Sequence, residues 1–149
     1  MSKAPHRFNL RVYYEDTDAG GIVYYANYLR FLERARTELL RELGLFQSQL
    51  ARDHSQIFVV GDLSARYLSS ARLDDELIVE TSVLKIGGAS LQMQQNVLKR
   101  VDREESLLLK GSVTLVYITH AGKAVRLPDT MRQPLEHYMI AEKDKNTCQ

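Results

Sequence analysis

The strongest constraint on the fold is a single apolar stripe at helical spacing in the first third of the chain. The stripe recurs at steps of four, three and four residues and consists of Tyr28, Leu32, Ala35 and Leu39. This spacing is typical of the buried face of an α-helix. Gly44 follows where a left-handed residue often ends a helix. The pattern predicts a helix over residues 26–43, about 27 Å long at 1.5 Å per residue.

The rest of the chain predicts β-strands. Residues 8–15 alternate before the helix, with one face formed by Phe8, Leu10, Val12 and Tyr14. Such alternation is typical of a half-buried strand. Four segments rich in branched and aromatic residues follow the helix, namely Ile57–Tyr67, Glu76–Ile86, Leu91–Val101 and Leu107–Thr119. We expect a closing helical turn or two at Glu136–Glu142.

This order of one strand, one helix and four strands predicts an α+β fold. Short links join the last four strands, which favours an antiparallel sheet. Five strands at about 4.8 Å spacing make a sheet about 24 Å wide, close to the length of the helix. We therefore expect a five-stranded antiparallel sheet wrapped around one long central helix. Its open edges favour self-association, most simply as a two-fold dimer.

Length and composition exclude several classes of protein. The 149 residues predict one domain over 1–149, with flexible ends at 1–7 and 143–149. Twenty basic and nineteen acidic residues, a net charge of +1, argue against nucleic-acid binding. The one cysteine, Cys148, cannot form an internal disulfide, which favours a reducing compartment. No leader and no apolar run of membrane-spanning length is visible, so we expect a cytoplasmic protein without a membrane span.

One acidic segment stands out as a candidate site. Glu15, Asp16 and Asp18 lie at the end of the first strand, and two glycines and the helix start follow. Free N–H groups and the positive dipole end of a helix suit a developing oxyanion. A carboxylate beside them could attack an acyl group or activate water. The same residues could equally form a solvated turn. No spacing typical of metal ligands is present, so no metal is expected.

A family resemblance rests on residues 11–36, Arg-Val-Tyr-Tyr-Glu-Asp-Thr-Asp-Ala-Gly-Gly through Glu-Arg-Ala-Arg. This segment resembles the signature of the 4-hydroxybenzoyl-CoA thioesterase branch of the hotdog superfamily. Within that branch, the chain is most similar to the acyl-CoA thioesterases associated with the bacterial Tol-Pal cell-envelope system. The similarity continues through Tyr67–Leu77 and Ser90-Leu91 and covers roughly residues 8–135.

The resemblance implies an acyl-CoA thioesterase of the hotdog fold that uses no cofactor, CoA being part of the substrate. It also implies a homodimer or homotetramer with sites between subunits, and acyl carrier protein is a further candidate partner. Asp18 would be the catalytic nucleophile or general base, and the backbone N–H of Tyr25 would polarise the thioester carbonyl. Many relatives have His at the position of Tyr25, which still leaves a backbone donor there. Asp16 would shape the loop.

Substrate-binding residues follow from the same resemblance. Ser90 matches a family position that basic residues precede, but this chain has Gly87, Gly88 and Ala89 there. Contacts to the CoA phosphates would then come from other cations, with Arg72 as the first candidate and Arg66, Lys85 and Arg126 as the others. Aromatic and apolar side chains are candidates for the acyl pocket, namely Phe58, Phe46, Tyr67 and Leu68.

Three alternatives stay open at this point. Some hotdog thioesterases carry the catalytic carboxylate on the central helix, where this chain has Glu33 with Arg34 and Arg36 nearby. A hotdog dehydratase would need a His paired with a carboxylate, and no His lies near the helix start. A non-catalytic acyl-binding or envelope-complex interaction module would keep the fold without turnover.

Overall fold

The computed structural model describes residues 4–140 as five strands, three α-helices and one 3₁₀ turn. The strands are β1 (His6–Arg11), β2 (Gln56–Tyr67), β3 (Glu76–Ile86), β4 (Ser90–Val101) and β5 (Glu104–Thr119). The helices are α1 (Asn27–Glu42), α2 (Gln47–His54) and α3 (Asp129–Glu136), and the 3₁₀ turn is Tyr14–Asp16.

The strands form one sheet in the order β1-β3-β4-β5-β2, and every neighbouring pair is antiparallel. β1 and β2 are therefore the two edges, and the chain crosses from one edge to the other through α1 and α2. The expected five-stranded antiparallel sheet around one central helix is confirmed.

The predicted stripe of α1 is its buried face. Tyr28, Leu32, Ala35 and Leu39 are all nearly inaccessible to solvent. The first half of the helix packs into a cluster with Leu77, Val79 and other sheet residues, and the second half packs into a cluster with Met93, Tyr117 and others. Burying a large apolar side chain of this kind contributes about 1.5–3 kcal/mol. Gly44, at φ +82°, ends the helix as predicted.

The first strand differs from the prediction at both ends. Tyr14 does not share the face of Phe8 and is 82% exposed, because β1 ends at Arg11 and a 3₁₀ turn follows. At the other end, His6 and Arg7 already pair with β3, opposite Thr81 and Glu80. Of the ends expected to be flexible, 1–7 and 143–149, residues 1–3 and 143–149 lie outside the described residues.

Two helices also depart from the prediction. α2 was not predicted, because its eight residues bury no side chain and carry no apolar period. The closing helix was expected at Glu136–Glu142 but spans Asp129–Glu136, and residues 141–142 lie outside the described part. Pro134 lies inside this helix. Met131 and Leu135 anchor this helix by burial against the second cluster.

A buried polar network joins α1 to the middle of the sheet. Arg36 donates from Nη1 to Oε1 of Gln95 at 2.9 Å. The Gln95 amide nitrogen in turn donates to the Leu32 carbonyl and the Thr81 hydroxyl, both at 3.0 Å. Burial lowers the pKa of Arg36, and nearby Glu33 partly opposes that shift. A buried cation is stable here because Gln95 accepts from it, so the two residues depend on each other.

We predict that Gln95→Leu lowers the free energy of unfolding by about 2–3 kcal/mol, because Arg36 then loses its buried acceptor. Urea unfolding measures this change. The matched control is Gln92→Leu on the same strand but the opposite face, which should change stability by less than about 0.5 kcal/mol.

The double variant Arg36→Leu/Gln95→Leu should recover a large part of that loss, since it leaves no unpaired buried charge. Strictly additive losses in this double-mutant cycle would contradict the dependence of Arg36 on Gln95.

Candidate functional site

The acidic loop before α1 is held in place by Asp16. Its Oδ2 accepts a hydrogen bond from the Tyr13 N–H at 2.8 Å. Its backbone carbonyl accepts from the Tyr24 N–H at 3.1 Å and from the Asn27 side-chain amide at 2.8 Å. Asp16 is also buried. These contacts give Asp16 the loop-shaping place that was expected, and they tie the loop to the first turn of α1.

Asp18 lies at the centre of a tight turn and remains exposed. Its N–H donates to the Ile22 carbonyl at 2.9 Å, and its own carbonyl accepts from Gly21 at 3.0 Å. Oδ1 accepts from the Gly20 N–H at 2.8 Å, which fixes the direction of the carboxylate. Gly21 adopts φ +78°, a conformation that favours glycine. The other carboxylate oxygen has no hydrogen bond from residues 4–140.

The start of α1 offers backbone donors that no side chain caps. Ala26 is the N-cap residue without a side-chain cap bond, and the first turn holds no acidic residue. Within the described part of the chain, the Tyr25 N–H makes no backbone hydrogen bond. A helix start of this kind presents unsatisfied N–H groups and partial positive charge to an anion.

Asp18 and Tyr25 border the same cavity. Its volume is about 370 Å³, and its lining is mostly apolar and aromatic. The lining residues are Asp18, Ile22, Val23, Tyr24, Tyr25, Tyr28, Tyr67, Leu68, Ser69 and Ser70. Asp18 also borders a second concavity of about 350 Å³, together with Tyr14, Thr17, Ala19, Gly21 and Leu73. Asp18 therefore borders two concavities.

Tyrosines form one wall of the first cavity. The Tyr28 hydroxyl accepts from the Ala71 N–H at 2.9 Å, and the Tyr67 hydroxyl donates to the Tyr25 carbonyl at 3.1 Å. Burial raises the pKa of Tyr28 and of Tyr67, so both phenols are protonated at neutral pH. The pKa of Tyr24 is raised mainly by its hydrogen bond with Tyr25.

Arg72 lies beside the site, but Ser90 does not. Arg72 forms an isolated β-bridge with Ile22 in the Asp18 loop, and it is exposed. Ser90 begins β4, whose two ends are about 36 Å apart at 3.3 Å per residue. Asp75, three residues after Arg72, pairs with Lys99 near the far end of that strand. Within one subunit, Ser90 is therefore remote from Asp18.

Phe58 and Glu33 line a different cleft, between α1 and β2. This cleft of about 180 Å³ also includes Arg36, Thr37 and Val60. Glu33 accepts a hydrogen bond from the Thr37 hydroxyl at 3.0 Å, which gives its carboxylate a local partner.

The residues expected to line the acyl pocket therefore lie in different cavities. Tyr67 and Leu68 line the Asp18 cavity. Phe46 lines another cavity, beside Arg41, and neither Phe46 nor Phe58 lines the Asp18 cavity. The other candidate cations, Arg66, Lys85 and Arg126, are exposed and do not line the Asp18 cavity.

Several lining residues were missed by sequence reasoning. Ser69 and Ser70 were covered only by the resemblance over Tyr67–Leu77, and Tyr24 only by the segment 11–36. The contact between Tyr67 and Tyr25 joins residues 42 positions apart, so no local pattern could predict it. The cluster of tyrosines at residues 24, 25 and 28 was the one available signal for an aromatic wall.

Between residues 4 and 140, no group of three or more His, Cys, Asp or Glu side chains is arranged to hold a metal ion. In that range there is also no helix of the length and hydropathy that crossing a bilayer requires.

Comparison with known proteins identifies the family. Residues 20–106 match the family model of the thioesterase superfamily. A Haemophilus influenzae protein named acyl-CoA thioesterase YbgC is 41% identical over 132 residues, covering 87% of this chain and 93% of that protein. The crystal structure of a probable thioesterase from Bartonella henselae is 37% identical with a TM-score of 0.78, covering 84% of this chain and 100% of that one.

A more distant structure shows the same fold. The crystal structure of a 4-hydroxybenzoyl CoA thioesterase mutant complexed with 4-hydroxybenzoyl CoA matches with a TM-score of 0.81 at 21% identity, covering 87% of this chain and 96% of that one. The sheet order, the central helix and these matches agree with one another. The chain therefore belongs to the thioesterase superfamily and has its hotdog fold.

Proposed function

We propose that the protein is an acyl-CoA thioesterase that hydrolyses an acyl-CoA to the free acid and CoA. The strongest support is that the Asp18 carboxylate and the uncapped start of α1 border one cavity. The printed name of the Haemophilus influenzae relative supports CoA thioesters as the substrate class.

The carbonyl oxygen of the thioester is placed against the Tyr25 N–H in this mechanism. As the acyl carbon becomes tetrahedral, negative charge collects on that oxygen. A preorganised donor stabilises this charge more than it stabilises the ground state. The partial positive charge of the helix start acts in the same direction. Tyr25 contributes its backbone, so the family's frequent His at this position is not needed.

Asp18 acts on the acyl carbon in one of two ways. As general base it takes a proton from water, the water oxygen bonds to the acyl carbon, and the C–S bond breaks to release the CoA thiolate. As nucleophile its own oxygen bonds to the acyl carbon and displaces the thiolate, and water then hydrolyses the mixed anhydride. A single turnover in ¹⁸O water detects the nucleophile route when water attacks the Asp18 carboxyl carbon of the anhydride, because ¹⁸O then enters Asp18. The base route puts ¹⁸O directly into the product acid.

We further propose that the sites lie between subunits of a homodimer, with a homotetramer as the larger assembly. β2 is an open edge strand, and Val60 on it is 49% exposed. Antiparallel pairing of two such edges would bring Phe58 of the partner subunit toward the Tyr67 end. This arrangement gives Phe58 a place in substrate binding that it lacks within one subunit.

Contacts to CoA are proposed for Arg72 and Ser90. The exposed Arg72 is tied to the Asp18 loop through Ile22 and can reach a phosphate at the pocket mouth. Ser90 would contribute from another subunit, because it is remote from Asp18 within its own.

Other properties that the resemblance implies stay predictions. They are association with the Tol-Pal system, acyl carrier protein as a partner, a cytoplasmic location and one domain over residues 1–149. A dehydratase is disfavoured because no histidine lines the Asp18 cavity within residues 4–140. Measurable hydrolysis of an acyl-CoA would exclude a non-catalytic module.

Asp18→Asn is expected to lower kcat for acyl-CoA hydrolysis by at least about 10²-fold, because the amide can neither accept a proton nor attack. KM should change far less, since the proposed CoA contacts lie elsewhere. Release of free thiol across acyl-CoAs of varied chain and ring type measures both constants.

Glu15→Gln is the matched control for this change. Glu15 lies in the neighbouring 3₁₀ turn, is exposed and should leave kcat near its normal value. Near-normal kcat in Asp18→Asn together with lost turnover in Glu33→Gln would move the catalytic carboxylate to α1.

Chelation should leave the rate unchanged, because the proposed mechanism uses only Asp18, backbone N–H groups and water. The measurement is thiol release after prolonged dialysis against a chelator. Activity that is lost in the chelator and restored by a divalent ion would rule out this mechanism.

The protein should form a stable dimer or tetramer at micromolar concentration, since the open β2 edge favours pairing. Light scattering measures the mass. A monomer of 17.1 kDa with full activity would exclude a site shared between subunits.

A further inference from the structure

We propose that Tyr67 is a positioning residue for the reaction: its hydroxyl holds the backbone at Tyr25 so that the Tyr25 N–H faces the thioester carbonyl. The inference rests on the proposed thioesterase function. Tyr67 is the last residue of β2, far from Tyr25 in sequence, and both line the Asp18 cavity.

The Tyr25 carbonyl depends on Tyr67 for a hydrogen bond. Around the start of α1, the Asn27 N–H donates to the Tyr24 carbonyl at 2.8 Å and the Leu29 N–H donates to the Ala26 carbonyl at 3.1 Å. These bonds bypass the carbonyl of Tyr25. Among the described residues, its donor is the Tyr67 hydroxyl at 3.1 Å. The Tyr25 carbonyl belongs to the peptide group that follows the proposed oxyanion donor. A side chain at the end of β2 therefore orients that peptide group.

Tyr67 is itself held in place by aromatic contacts. Its ring lies edge-on to the rings of Tyr28, at 5.6 Å between centroids, and of Tyr25, at 6.3 Å. Tyr28 is buried and anchored by the Ala71 N–H at 2.9 Å. The chain of contacts thus runs from the buried helix face through Tyr28 and Tyr67 to the backbone at Tyr25.

The hydroxyl is suited to act as a permanent donor. Burial raises the pKa of Tyr67, and nearby Tyr25 raises it further, so the group is protonated throughout the neutral range. A donor on the Tyr25 carbonyl also polarises the Tyr25–Ala26 peptide, which strengthens the N–H of Ala26 at the helix start. The geometry of such donors matters because a small displacement of the reacting carbonyl costs much of the rate.

Tyr67→Phe tests the proposal, because it removes the hydroxyl and keeps the ring. We expect kcat for acyl-CoA hydrolysis to fall about 3- to 10-fold, the range of one neutral hydrogen bond. KM should change by less than about twofold, and Tm should stay within about 2 °C. The ¹³C chemical shift of the Tyr25 carbonyl and the amide shift of Ala26 should change, because the hydrogen bond to that carbonyl is lost. Tyr138→Phe, far from this cavity, removes another tyrosine hydroxyl and should leave kcat unchanged.

Three results would overturn the proposal. Unchanged kcat in Tyr67→Phe would show that the hydroxyl does not serve the reaction. A raised KM at constant kcat would make Tyr67 a substrate contact, and a lower Tm with an unchanged chemical shift of the Tyr25 carbonyl would make it structural. Failure of the thioesterase function would look different: the wild type would release no thiol from any acyl-CoA, and both proposals would fall together.

Discussion

The burial of one face of α1 against the sheet is the interaction on which the remaining structure depends. Because β1 and β2 are opposite edges, the chain must cross the sheet, and α1 makes that crossing with its apolar stripe facing inward. The Arg36–Gln95 bond fixes the helix relative to β4. Once α1 is fixed, the loop that enters it is also fixed, and this loop carries Asp18.

The start of α1 is held without a side-chain cap. A Ser, Thr, Asp or Asn at the position of Ala26 would stabilise α1 by about 1 kcal/mol by accepting from N–H groups of the first turn. The chain stabilises this turn from outside instead. Asp16 accepts from Tyr13 and Tyr24, and Tyr67 donates to the Tyr25 carbonyl. The entry to α1 is thereby held, while the Tyr25 N–H makes no backbone hydrogen bond within residues 4–140.

The bounds of α1 and of the last four strands were predicted to within three residues. The apolar period of α1 matches its buried face, and the branched and aromatic residues of the four segments match strands, although β2 itself contains no fully buried residue. The alternation wrongly placed Tyr14 on the first strand, because it continues past the end of β1 into a turn, and α2 was not predicted because it buries no side chain. The site residues likewise separate into those that the local sequence predicts and those that it does not. Asp18 and Tyr25 are close in sequence and share a cavity, whereas the placement of Phe58, Ser90 and Tyr67 depends on tertiary contacts that no local pattern encodes.

The central claim is that the thioester carbonyl is held between Asp18 and the backbone at Tyr25. The most direct measurement is a crystal structure of Asp18→Asn with an acyl-CoA analogue in which a methylene group replaces the thioester sulfur. The account predicts the carbonyl oxygen about 2.7–3.1 Å from the Tyr25 nitrogen and the acyl carbon about 3–3.5 Å from the residue 18 side chain. A carbonyl bound in the cleft beside Glu33, away from the start of α1, would contradict it.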